Sequence, residues 1–392
     1  MSTVLSPSTI DELRDAIADA ARGEARLEIR GGGSKADIGA PRHATLLDMS
    51  GFAGVIDYDP PELVLTVGAG TPLADIQALV AGHDQMLAFE PVDHGSLQGG
   101  ATGASTIGGV IGAAVAGSRR LSRGSARDHF LGFKAVSGRG EAFVVGAKVV
   151  KNVTGYDLPK IFCGSWGRLG ALTEVTLKVL PSPREQLTLA IAGLDTDQAI
   201  AAMARAMGSQ ADVAAAAHFP AGEFELDSVT LLRLEGFGPS VAARRAMLET
   251  LLTDAGSVRV LGREDAARAW TDLSNLRPLS GAPVLWRINT APSRAGAILA
   301  GLEPLGARWL MDWAGGLIWM AFEGEPSVVR ALAEAAGGHA ALVRAPEALR
   351  RITPALQPQA PAVMALEARV RRAFDPASVF ETGRFLDGPH AD

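Results

Sequence analysis

The chain has 392 residues, 47% hydrophobic and 20% charged, which supplies a large apolar core and excludes a disordered polar segment. Thirty-seven basic against 43 acidic residues leave a net charge of −6 with no basic block, which argues against nucleic acid as a partner. A single cysteine, Cys163, excludes a disulfide framework, an iron–sulfur cluster of the chain's own and a Cys-based zinc site. No metal site is expected, so redox chemistry here needs an organic cofactor or a partner's metal.

The N-terminal stretch to Glu24 carries three Asp and two Glu and no apolar run, so neither a signal nor a transit peptide is expected and the predicted location is the cytoplasm. Thr9-Ile-Asp-Glu12 is a capping box, with Ile10, Leu13, Ile17 and Ala21 following at helical spacing, which predicts a helix over 9–22. Leu27–Ile29 reads as a short strand that ends at Arg30-Gly-Gly-Gly-Ser34. Three successive glycines can gather bare N–H groups there into a phosphate cradle. Leu63–Val67 reads as a buried strand ending in Gly68-Ala-Gly70. Thr71 then reads as an N-cap and Pro72 as the first residue of a helix to about 81.

Residues 94–118 contain no Asp, Glu, Lys or Arg, but eight glycines and several hydroxyl residues make them too polar to span a bilayer. A ligand loop leading into a short buried helix, Val110–Ala116, is expected. Phe130–Ser137, the Gly138-Arg-Gly140 turn and Glu141–Val145 predict a hairpin, and Ala171–Leu180 alternates as a half-buried strand does. Pro181-Ser-Pro183 marks a domain boundary.

Beyond it the order β-α-β-β-α-β occurs twice, which predicts a broad antiparallel sheet with helices on one face. The last 45 residues read as helical, closing with FDPASVFETGR at Phe374–Arg384. The fold class is α+β, with domains at 1–182 and 183–345 and a C-terminal segment, 346–392, returning to the first. Glycine supports the division: 27 of the 45 precede residue 183.

Neither early glycine loop completes a known motif by itself. Lys35 follows Ser34 with no Ser or Thr after it, which breaks the Walker pattern, and Leu73 holds the third glycine position of a dinucleotide fingerprint. In combination with Thr106-Ile-Gly-Gly109, Lys151-Asn-Val-Thr-Gly-Tyr-Asp157 and Gly164-Ser-Trp-Gly-Arg-Leu-Gly170, however, they resemble the FAD domain of the vanillyl-alcohol oxidase/p-cresol methylhydroxylase (PCMH) superfamily. The nearest resemblance is to the FAD-binding subunits of bacterial glycolate oxidases. Glu381 and Thr382 stand where that family has Asn-Pro.

The resemblance implies a two-lobed PCMH-type FAD domain followed by a cap domain. It places the diphosphate on Arg30, Gly31, Gly32, Gly33 and Ser34, with Gly68, Gly70, Thr106, Ile107, Gly108 and Gly109 beside the cofactor. Gly167, Leu169 and Gly170 would line its adenosine or ribityl side. Lys151 and Asn152 would lie near the flavin, where a donor at the N1/C2 edge stabilises the reduced ring, and Arg384 would reach back to the cofactor. Ser34 stands where a covalent attachment His could sit, so the FAD is expected to be non-covalent.

The same resemblance implies a hydroxy-acid oxidising complex. Hydroxy-acid dehydrogenases of this superfamily carry His-Gly-Asp and Gly-Asn-x-His in the cap; here only His218, His339 and His390 follow residue 182, and no catalytic residue can be assigned. His339 is the one plausible base, weighed against a packing role. The expected role is FAD-mediated electron transfer, with the main substrate site on a second, catalytic flavoprotein subunit and an iron–sulfur subunit as the exit. No transmembrane segment is expected, though the complex could sit at the inner face of a membrane. A self-sufficient dehydrogenase using Tyr156 or His339, and a structural subunit without redox chemistry, are the alternatives. The cap tryptophans Trp270, Trp286, Trp309, Trp313 and Trp319 suit an interface as well as a pocket.

Overall fold

A computed structural model describes residues 3–95, 97, 102–146 and 156–386. The capping box forms: Thr9 Oγ1 accepts from the Glu12 N–H at 3.2 Å, and Glu12 Oε2 accepts from the Thr9 N–H at 3.3 Å. The helix that follows, Ile10–Arg22, buries Leu13, Ile17 and Ala20. Contacts divide the chain into two compact units. The first comprises Met1–Ala116, Gly124–Ser182 and Pro358–Asp392, and the second Gly117–Arg123 and Pro183–Gln357. Residues 346–357, which the sequence groups with the returning segment, therefore lie in the second unit.

The first unit has two main sheets. Strands β1 (Val4–Leu5), β2 (Leu27–Arg30) and β3 (Thr45–Asp48) pair in parallel in the order β1-β3-β2. Strands β4 (Val55–Asp59), β5 (Val64–Gly68), β7 (Phe130–Val136), β8 (Ala142–Gly146) and β9 (Ala171–Lys178) pair antiparallel in the order β4-β5-β9-β7-β8. A small ladder joins β6 (Gln85–Met86) to β10 (Leu180–Pro181). Each sheet has its own apolar cluster, around Leu13, Ile17 and Leu47 for the first and Leu65, Ile107, Phe133 and Phe162 for the second.

The returning segment is fixed by Asp375, whose carboxylate accepts the N–H groups of Val379 and Phe380, both at 2.8 Å. Gly138 leaves room for that carboxylate: a Cβ there would lie 2.2 Å from Asp375 Oδ1.

The second unit is built on an eight-stranded sheet. Its strands are β11 (Glu185–Ala192), β12 (Ala215–Phe219), β13 (Val229–Gly236), β14 (Val258–Val260), β15 (Leu285–Asn289), β16 (Arg308–Asp312), β17 (Leu317–Ala321) and β18 (His339–Arg344). The order β14-β11-β13-β12-β16-β17-β15-β18 is two β-α-β-β-α-β modules joined edge to edge at β12 and β16, through the pair His218 and Met311. Helices Thr196–Met207, Gly238–Leu251, Ala295–Leu302 and Pro326–Ala335 cover one face and share one core with it.

One helix departs from the expected one-sided arrangement. Arg263–Ser274 covers the other face, where Trp270 Nε1 donates to Thr188 Oγ1 at 3.0 Å. All five cap tryptophans are at most 8% exposed.

Candidate functional site

In the first unit the loops after β2 and β5 and the segments at 106–113 and 165–172 line a cavity of about 110 Å³. One buried water needs roughly 10–15 Å³, so the space suits a sizeable ligand. Arg30, Gly31, Gly32, Gly33, Ser34, Thr106, Gly108, Gly109, Gly167, Gly170 and Arg384 line it. The 31–33 glycines are required by close packing. A Cβ at Gly31 would lie 2.1 Å from Thr106 Oγ1, one at Gly32 would lie 1.6 Å from the Ala104 carbonyl oxygen, and Gly33 has φ +75°.

Other sequence-predicted residues fall elsewhere. Ile107 and Leu169 are buried in the core. Gly68 and Gly70 lie beneath the cavity, pressed against the carbonyl oxygens of Phe52 and Met49, while Ala69 between them supplies the lining. Lys151 and Asn152 lie outside the described residues.

The local elements also differ from expectation in instructive ways. Thr71 is not an N-cap: its hydroxyl donates to the Gly68 carbonyl at 2.7 Å, and the helix runs Leu73–Ala81 without a side-chain cap. The expected Val110–Ala116 helix is Ile107–Gly112, capped by Thr106. Six residues build only a short macrodipole, so side chains carry most of the site's charge. Asp157 heads the helix Leu158–Phe162 without making a capping bond.

The charged side chains lining the cavity are Arg30, Lys35 and Arg384 with one carboxylate, Glu28, which pairs with Arg30 Nη2 at 3.3 Å and with Arg42 Nη2 at 2.5 Å. Lys35, absent from the sequence-predicted set, is 8% exposed and lines the wall, with Nζ 3.3 Å from Ser34 Oγ. The Ser34 and Ser105 hydroxyls are 3.0 Å apart, and Ser105 donates to Asp93 at 2.6 Å. Burial pushes Lys35 down to about 8, against the pull of Asp93 and with the push of Arg384. Burial raises Asp93, but hydrogen bonds from Ser105, Gly95 and Gly103, with the Lys35 charge, outweigh it and leave Asp93 below its ordinary value.

Arg384 clasps the same loop, donating through Nε to the Ile38 carbonyl at 2.9 Å and through Nη2 to that of Lys35, while stacking on Trp166 at 4.8 Å. Burial, then Arg42, push it down to about 9, which leaves it cationic at neutral pH. Arg30 Nε is buried without a hydrogen-bond partner among the described residues. Glycine backbone, two hydroxyls, a buried ammonium and an orphaned guanidinium N–H form a donor set that fits the diphosphate of a dinucleotide.

Sequence reasoning also misses Trp166, which lines the cavity with φ 56°, and Ile29 and Met49, which supply apolar wall. A non-glycine residue at positive φ leaves no sequence signal. Of the histidines beyond residue 182, His390 lies outside the described residues. His218 is buried against Thr230 at 2.9 Å and pushed down to about 4 by burial, and His339 heads β18. Among the described residues there is no cluster of three or more His, Cys, Asp or Glu able to hold a metal, and no helix long and apolar enough to cross a membrane.

Comparison with known proteins agrees with this geometry. Residues 1–146 match the family model described as an FAD binding domain. The chain is 32% identical over 381 residues to glycolate oxidase subunit GlcE of Escherichia coli (strain K12), covering 97% of each chain. It is 30% identical over 210 residues to glycolate oxidase subunit GlcD of Bacillus subtilis (strain 168), covering 54% of this chain and 42% of that one. In fold it is similar to p-cresol methylhydroxylase with substrate bound, at a TM-score of 0.71 and 13% identity, covering 97% of this chain and 88% of that one. The architecture is thus that of PCMH-type flavoproteins, and the chain belongs to the family of the glycolate oxidase subunit GlcE.

Proposed function

We propose that the chain is the FAD-carrying subunit of a complex that oxidises glycolate or a related 2-hydroxy acid, and that it relays electrons while the main substrate site lies on a second flavoprotein subunit. FAD dependence and action on CH–OH groups follow from the family. The observation that carries the cofactor assignment is the cavity with its glycine backbone, buried Lys35 and an Arg30 Nε that has no hydrogen-bond partner among the described residues, although Arg30 Nη2 meets Glu28.

Bound FAD supplies two-electron acceptance from a substrate carbon and one-electron delivery to an acceptor. The chain's own residues bind and orient it. The 31–34 amides, Arg30 and Lys35 hold the diphosphate, and Arg384, in the same cavity wall, fixes the 35–38 loop. Trp166, Ile29 and Met49 exclude water. Ser34, where a covalent His could sit, leaves the cofactor dissociable. Lys151 and Asn152 remain the proposed donors at the flavin edge.

The burial that pushes His218 down to about 4 removes it as a base near neutral pH and favours placing hydroxy-acid chemistry on a partner, with electrons leaving through an iron–sulfur subunit. The proposed site of action is the cytoplasm, at the inner face of a membrane when the complex docks there. The test is to purify the chain alone and with co-expressed partner chains. The chain alone is expected to show a flavin band that is lost on gel filtration in high salt, and negligible glycolate oxidation with a dye acceptor. Turnover by the isolated chain at the rate of the complex would reject the partner-site assignment, and absence of a flavin band after added FAD would reject the cofactor.

A further inference from the structure

Among the described residues Glu28 is the one carboxylate that lines the cofactor cavity, and its bonds engage only half of it. The side chain is 10% exposed, and Oε1 takes both arginine contacts, from Arg42 Nη2 at 2.5 Å and from Arg30 Nη2 at 3.3 Å. Oε2 accepts no hydrogen bond among the described residues. Arg42 is itself fixed: its side chain is 6% exposed, Nη1 donates to the Ala40 carbonyl at 3.2 Å, and Nη2 also donates to that of Ala36 at 3.0 Å. The carboxylate is thereby pinned through one oxygen, and the other keeps its lone pairs unused in a set orientation.

Glu28 also lines a smaller cleft of about 20 Å³ that shares Ile29, Trp166, Gly167 and Arg384 with the cavity. One water needs roughly 10–15 Å³, so this recess has room for a group the size of a hydroxyl. Burial raises the Glu28 carboxyl, but the hydrogen bond and charge of Arg42, then the charges of Arg384 and Arg30, outweigh it and leave the group below its ordinary value. It is therefore an ionised, acceptor-only group at neutral pH, and a phosphate cannot satisfy it. A buried carboxylate oxygen without a donor costs free energy. Arg30 meets Glu28 through Nη2 and leaves Nε without a partner among the described residues, so Glu28 stands beside the part of the cavity proposed for the diphosphate. In a flavin dinucleotide the donors that flank the diphosphate are sugar hydroxyls, whereas the adenine amino group and the flavin imide lie at the far ends.

We propose that Glu28 is a sugar-recognising residue of this site, its Oε2 accepting a hydroxyl that adjoins the diphosphate, from either the adenosine ribose or the ribityl chain. Both sources offer the same chemistry, an O–H donor to an ionised oxygen. With the cavity as the FAD site, the premise on which this rests, Glu28 supplies what its neighbours lack. The glycine amides, Arg30 and Lys35 hold the charge of the diphosphate and are indifferent to a missing hydroxyl. Glu28 is not, because its oxygen stays buried and unpaired when the hydroxyl is gone.

The test is equilibrium titration of the flavin-free full chain, followed by flavin fluorescence, with three ligands: FAD, an analogue built on 2′,3′-dideoxyadenosine, and an analogue whose ribityl is replaced by a pentyl chain without secondary hydroxyls. The unmodified chain is expected to bind at least one analogue about tenfold or more weakly than FAD. In Glu28→Gln that ratio is expected to shrink to within about threefold, and the ratio that shrinks identifies the hydroxyl; a merely structural loss of the ion pairs would weaken all three ligands alike and leave the ratios unchanged. Ratios near one in the unmodified chain, or the same ratios in Glu28→Gln, would overturn the inference. Should the Gln variant not fold, Glu28→Asp keeps the charge beside both arginines and withdraws the oxygen by one methylene, and unchanged ratios there do the same. A chain that takes up no FAD at all would refute the cofactor site and this assignment together, whereas the ratios bear on Glu28 alone.

Discussion

Arg168 and Glu381, 213 residues apart in sequence, meet in a two-point ion pair, with Nε donating to Oε1 and Nη2 to Oε2, both at 2.8 Å. The pair ties the closing segment to the loop that places Trp166 and Gly167 in the cavity wall. Arg371 adds a second contact to the same carboxylate at 3.4 Å. Glu381→Ala is expected to lower stability by about 1–3 kcal/mol, because the pair is bidentate and partly buried. Chemical denaturation of the single and double Arg168/Glu381 variants measures it; additive effects would show that the pair is not coupled.

The two kinds of glycine in the cavity wall predict opposite behaviour. Gly32→Ala places a methyl 1.6 Å from a backbone oxygen, so the 31–34 loop has to move. FAD affinity is expected to fall by at least about tenfold, an effect of order 1.4 kcal/mol. Gly112→Ala meets open space at the end of a helix and should preserve or slightly raise the melting temperature. Its methyl enters the cavity lining, so cofactor affinity rather than folding should report it. Flavin fluorescence titration and thermal melts separate the two.

Lys35 makes both stability and cofactor affinity depend on alkaline pH. Its folded value of about 8 lies below the roughly 10.4 of an unfolded lysine. Below pH 8 the group is charged in both states. Between about 8 and 10.4 the unfolded chain holds more protons, so stability should rise with pH, by at most about 3 kcal/mol. A bound diphosphate favours the charged lysine, so FAD affinity should be level below pH 8 and decline above it, by up to about tenfold per unit. Lys35→Met is expected to flatten both profiles, and a variant that keeps the affinity decline would remove Lys35 from the diphosphate site.

Cys163 is expected to be inert. Burial pushes its thiol up to about 12, against the smaller effects of Arg127 and Lys160, so thiolate is scarce at neutral pH. Thiol-reagent labelling of the native chain at pH 7.5 should be at least about a hundredfold slower than in denaturant. Comparable rates would place the sulfur in open solvent.

Local rules carried much of the fold. Thr9 and Glu12 encode their helix because both partners of the capping box lie within one turn, and the alternation in Ala171–Lys178 encodes β9 because one of its faces is more deeply buried. The repeated β-α-β-β-α-β order was readable for the same reason. Thr71 was misread because its hydroxyl had a better acceptor in the Gly68 carbonyl than an open helix end. The helix Arg263–Ser274 was missed because its burial depends on Trp270 finding Thr188, 82 residues away. At the site, the glycines announced themselves through composition. Lys35 did not, since a lysine is ordinarily solvated and only tertiary packing makes this one buried.

The first unit is interrupted by the whole of the second, and its cavity wall draws on both sides of that interruption: Arg384 closes on Lys35 and Ile38 from almost 350 residues later. A nascent chain therefore exposes the glycine loops to the cell long before the residue that clasps them leaves the ribosome. The cavity wall is thus complete only once the closing segment has been made.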